Sequence, residues 1–98
     1  LNQNFFSKQL NSFHQHLTEF KTAGNEPIKL GQLAHKILVG CRCFGAKELE
    51  TIISKIEIMQ KNKTLIPNSE LFIQAALLID PLFEALKEES EKIFRKAS

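Results

Sequence analysis

Imidazoles and thiols are the side chains here best suited to nucleophilic or metal chemistry: His14, His16, His35, Cys41 and Cys43. Spacing removes most combinations. Residues two apart on a helix point in different directions, so Cys41 and Cys43 make a poor disulfide and lack partners for a zinc site. His14 and His16 share no helical face, which argues against a metal pair. There is no glycine-rich phosphate loop and no Ser-His-Asp arrangement. That leaves His35, inside "LAHKILVGCRCFGAKELE" from Leu33 to Glu50. An imidazole, with an ordinary pKa of about 6.5, is largely neutral at pH 7 and nucleophilic at its unprotonated nitrogen. No carboxylate cluster stands near His35 at metal-ligand spacing.

The elements that position His35 follow from periodicity. Apolar residues at Phe6, Leu10, Phe13, Leu17 and Phe20 form one stripe of an amphipathic helix. That helix should stop near Gly24 in the left-handed C-terminal conformation. Pro27 suits the first turn of a second helix, whose apolar face carries Leu30, Leu33, Ala34, Ile37, Cys41 and Phe44. Gly45 is a break or tight joint. A third helix presents Leu49, Ile52, Ile53, Ile56 and Met59. After the polar "KNKTLIPNS", Asn68 or Ser69 caps a long last helix, with Glu70 well placed for its dipole. This helix runs from about Ser69 to Lys96, with Phe72, Ala75, Leu78, Ile79, Leu82, Phe83, Leu86 and Ile93 apolar. Pro81 should kink it, or split it with Asp80 capping the second half. The expected fold is all-α: one domain over residues 1–98, an antiparallel up-down-up-down four-helix bundle.

Composition narrows the function classes. A chain of 98 residues builds a single modest core. The net charge of +2, with Lys and Glu interspersed, does not argue for nucleic acid. Lys47, Lys55, Lys61 and Lys63 are scattered or loop-borne and read as solvated surface. No apolar run is long enough to span a membrane, and no signal peptide is present. The cysteine usage fits a reduced, cytoplasmic setting. A first residue of Leu rather than Met reads as a domain excised from a larger protein.

At 100° per residue, His35 lies roughly 150° from the centre of its helix's apolar stripe, near Ile37 and Cys41. It therefore faces outward rather than into the core. Taken alone, it reads as a surface histidine without a role. Its neighbours change that reading. Leu38 and Val39 lie outside the stripe yet are apolar, and Arg42 stands two turns on. Together they form a partner-docking surface for an anionic reaction centre. The competing readings are coverage of Leu38 and Val39 by neighbouring helices and simple solvation of Arg42. Phe5, off the first stripe, adds to the surface.

The segment resembles the histidine-containing phosphotransfer (HPt) domain of bacterial two-component phosphorelays, whose pattern runs roughly A-H-x-L-K-G-S-x-x-x-[LF]-G-A. Ala34 and His35 match its opening, Ile37 the apolar position two later, and Phe44, Gly45 and Ala46 its end, without a gap. Leu49 and the "KIE" of Lys55 to Glu57 fit the following helix. There are two departures. The family's lysine three after the histidine is Leu38 here, and its glycine four after is Val39. Aligning Gly40 instead would put F-G-A out of register and turn His35 by about 100°. Helical side chains lean toward the N-terminus, so Val39 fills room above the imidazole and Leu38 offers no charge.

The resemblance implies a phosphorelay intermediate belonging to a hybrid sensor histidine kinase, without autonomous kinase activity. His35 would accept a phosphoryl group from a receiver-domain aspartate and pass it to another. The partners would be response-regulator receivers, which supply Mg²⁺; the domain itself would need no cofactor or metal and touch no membrane or nucleic acid. The alternative is a degenerate HPt-like domain, or a helical adaptor, that binds a partner without phosphotransfer.

Overall fold

The computed structural model describes residues 3–97, apart from the side chains at 3, 93, 94, 96 and 97, so the Ile93 position lies outside the described residues. It consists of α1 (Gln3–Thr22), α2 (Pro27–Phe44), α3 (Lys47–Lys61) and α4 (Glu70–Ala97), and no strand occurs among the described residues. Short links make successive helices antiparallel. α1 packs on α2, α2 on α3 and α3 on α4, and α1 against α4 closes the bundle. The α2–α3 contact is the most extensive.

The four stripes meet in one core. Leu17, Phe20, Leu30, Ile37, Leu49, Ile53, Ile56 and Ile79 are fully buried, each such side chain worth about 1.5–3 kcal/mol on transfer from water. The Phe20 and Phe72 rings meet across it with centroids 5.3 Å apart. Gly40 permits the close approach of α2 to α1, because a Cβ there would overlap the Phe13 ring.

The F-G-A stretch is the joint that turns α2 into α3. Phe44 packs on Phe6 and Phe13, both with ring centroids 5.5 Å away. Gly45 adopts the left-handed conformation, φ 70°, which glycine takes without steric cost. The Ala46 N–H then donates to the Cys41 carbonyl at 2.9 Å, the closing bond of a Schellman turn, and Ala46 is buried.

Two expectations about helix ends are corrected. Gly24 is not left-handed; the one glycine with positive φ among the described residues is Gly45. What Gly24 supplies is space, since a Cβ there would stand 2.6 Å from the Phe72 ring. Its carbonyl accepts the Asn68 N–H at 2.6 Å, tying the end of α1 to the start of α4. Nor does Pro81 split the last helix: α4 runs unbroken through it. Pro81 and Leu77, whose carbonyl loses its helical partner to the ring, both lie on the exposed side, where solvent can satisfy the freed carbonyl. Asp80 does not cap a second half. Its carboxylate accepts hydrogen bonds from Lys21 Nζ at 2.9 and 3.0 Å. Ser69 is the cap, its Oγ accepting the Phe72 N–H at 3.3 Å.

Candidate functional site

His35 lies near the middle of α2 with 78% of its side chain exposed. Its Nδ1 stands 3.2 Å from Glu57 Oε2, on α3. An ionised carboxylate only accepts, so in a neutral ring this contact favours the tautomer with the proton on Nδ1 and the lone pair on Nε2. Among the described residues, the ring hydrogen-bonds through Nδ1 alone. The other oxygen of the same carboxylate, Oε1, is 3.8 Å from Lys61 Nζ. His35, Glu57 and Lys61 line one shallow groove with Ile28, Gln32 and Gln60.

The α2–α3 hairpin creates this pairing. The link is so short that residues equally far from Ala46 face one another. His35 and Glu57 are 22 apart and centred on Ala46. Arg42 and Glu50, 8 apart, share that centre and pair at 3.2 Å. Gly31 lets the helices close, because a Cβ there would come within 2.5 Å of Gln60 Cγ. Sequence reasoning missed Glu57 as a partner, although counting outward from the F-G-A joint would have found it.

The remaining site residues divide. Val39 is 53% exposed, one turn after His35, and Ile28, also exposed, stands about two turns before it. Together they make an apolar rim along α2, with Ile28 in the groove of His35 and Val39 on the α1–α2 seam beside Lys36. Leu38 does not belong to it, which corrects its assignment to the docking surface: it is 4% exposed and part of the core. It sits about 60° around α2 from His35, on the side where α3 lies. Arg42 is not brought to His35 either; Glu50 holds its guanidinium. Phe5 is exposed, but it lies toward the other end of α1. With Phe13 opposite Gly40, the helical rise separates it from His35 by about 20 Å along the bundle.

The other imidazoles and thiols have structural surroundings. His14 stacks on Phe83 of α4, ring centroids 3.8 Å apart. His16 is half-buried beside Lys36 and Cys43 at the α1–α2 seam. Cys41 and Cys43 are both free, the first buried and the second exposed. Burial, reinforced by Glu50 and opposed by Arg42, pushes the Cys41 thiol up to about 12. Among the described residues, no three His, Cys, Asp or Glu side chains are grouped to hold a metal ion, and no helix is long and apolar enough to cross a membrane. No family model, no curated protein and no solved structure matches this chain.

Proposed function

We propose that this chain is an HPt-like phosphotransfer domain and that His35 is its phosphoryl acceptor. The observation that carries the reading is the His35–Glu57 pair: an exposed imidazole, mid-helix on a four-helix bundle, with Nδ1 held by a carboxylate at 3.2 Å. The F-G-A joint supports it, because that joint sets the register bringing the pair together.

The chemistry follows from the tautomer. The Nε2 lone pair attacks the phosphorus of a receiver aspartyl phosphate. The Nε2–P bond forms as the P–O bond to the aspartate breaks, and the electron pair leaves with the carboxylate. No external proton is required. The product is a phosphoimidazolium that keeps its Nδ1 proton, and Glu57 stabilises the positive charge arising on the ring. The reverse sequence hands the group to a second receiver. A receiver domain would hold Mg²⁺ in its own acidic pocket, where the ion would supply charge neutralisation for phosphoryl transfer. Ile28 and Val39, exposed on α2 before and after His35, would give a receiver apolar contact.

The second reading, docking without transfer, draws on Val39, whose branched side chain overhangs the imidazole from the next turn. One experiment separates the two: incubation with a phosphate-labelled receiver, followed by an acid-lability test for phosphohistidine. Acid-labile label on the wild type and none on His35→Gln is the expected result. Receiver binding without label would favour docking alone.

A further inference from the structure

A phosphoryl group on His35 brings about two negative charges to the surface of α2, and they need a cation. Three basic residues of the surroundings are committed elsewhere or face elsewhere. Arg42 is paired with Glu50. Lys36 lies along the α1–α2 seam with His16 and Cys43. Lys29 lines the neighbouring hollow at the start of α2 with Glu26 and Pro27. Lys61 differs, since it lines the groove of His35 itself. It is the last residue of α3, its side chain is 74% exposed, and among the described residues its ion pair is an i,i+4 contact at 3.8 Å to Glu57. Although Glu57 is only 18% exposed, the Lys61 end is in solvent and the 3.8 Å separation is long for an ion pair, so the ammonium can turn toward a more highly charged oxyanion.

Resting on the phosphotransfer reading, we infer that Lys61 binds the phosphoryl oxygens during transfer to and from His35, so that the charge for the reaction comes from α3 rather than from the histidine's own helix. Glu57 organises both ends: Oε2 orients the imidazole while Oε1 keeps Lys61 beside it. When the phosphoryl group arrives, Lys61 exchanges a loose carboxylate contact for a charge-assisted hydrogen bond to phosphate.

The sign of a substitution distinguishes this from a merely structural role. If Lys61 only partnered Glu57, removing it would leave more carboxylate charge to act on the imidazole, and phosphorylation would speed up. If Lys61 holds the phosphoryl group, removal slows it.

Phosphoramidate is a probe that needs no receiver. Nε2 forms the N–P bond as the reagent's P–N bond breaks, and the electron pair leaves with ammonia. His35→Gln measures label on His14 and His16, to be subtracted. Lys61→Met should slow labelling of His35 about tenfold, the effect of losing one charge-assisted bond. Lys61→Arg should restore the rate to within about threefold, because guanidinium also binds phosphate. Helix content should not change. A Lys61→Met rate equal to or above wild type overturns the inference, as does failure of phosphoramidate to label His35. The receiver arm separates the two proposals. Lys61-dependent labelling by phosphoramidate, with no labelling by any receiver, upholds Lys61 and sinks the relay. Equal receiver labelling of wild type and Lys61→Met upholds the relay and sinks Lys61.

Discussion

Replacing Glu57 by Gln keeps the shape of the side chain and removes its charge. The bond it alters is one imidazole N–H donating to a carboxylate at 3.2 Å. Hydrogen bonds to charged groups contribute about 1.5–3 kcal/mol. The low end applies here, because the ring is largely exposed and water screens the interaction. During attack the ring becomes cationic, so the carboxylate helps the transition state more than the ground state. A loss of about 1.4 kcal/mol of that stabilisation corresponds to tenfold in rate. Glu57→Gln should therefore slow labelling of His35 from a phosphorylated receiver by about tenfold. Glu57→Ala should slow it further, because the Nδ1 tautomer is then unguided as well. The assay is single-turnover label transfer at saturating receiver, which separates the chemical step from docking. Stability in urea should change by about 1 kcal/mol for Glu57→Gln, because the His35 end of the pair is largely in solvent although Glu57 itself is only 18% exposed. Wild-type rates in both variants would refute the assignment of Glu57 as the orienting carboxylate.

Three further outcomes follow from the same geometry. Leu38→Lys, which restores the residue of the HPt pattern, should cost about 2–4 kcal/mol in urea denaturation, because it removes a core side chain; a cost below about 1 kcal/mol would mean that Leu38 is not held under α3. Val39→Glu should weaken receiver affinity by calorimetric titration without altering helix content, whereas Val39→Gly should speed transfer by opening the approach to Nε2 at about 1 kcal/mol of stability; unchanged affinity and rate would remove Val39 from the interface. A disulfide-exchange reagent at pH 8 should titrate Cys43 alone in the folded chain and both thiols in denaturant. Since folding raises Cys41 from 9.0 to about 12, the folded state holds that proton more tightly. Its contribution to stability is full below pH 9.0 and is lost as pH rises toward about 12; Cys41→Ser should flatten that alkaline decline, and an unchanged decline would assign it to other groups.

The sequence by itself determined the local features, because each is written within a few turns of chain. Helical periodicity located all four helices and most of the core between Leu10 and Ile79, but not Ala23, Leu38, Ala46 or Leu65. The Asn68–Ser69 pair and Gly45 announced a start and a stop through their own backbone and capping chemistry, with the choice of Ser69 as the cap left to the structure. The outward position of His35 followed from a single angle on one helix, and the ring is indeed exposed. Features that depend on where a second helix lies were decided by the tertiary structure. Leu38 and Val39 are adjacent and equally apolar, yet the breadth of the α2–α3 contact buries the first and leaves the second exposed. Pro81 suggested a kink or a split with Asp80 as a cap; the split does not occur, and α4 continues through the proline on its exposed side. Gly24 looked like a left-handed cap but serves the approach of Phe72. Glu57 becomes the partner of His35 only when the F-G-A joint folds α3 back on α2. The physical reason is common to all four: a helix's own pattern specifies which side is apolar, while how much of that side is covered, and by which polar group at its edge, depends on the distance and register of the neighbour.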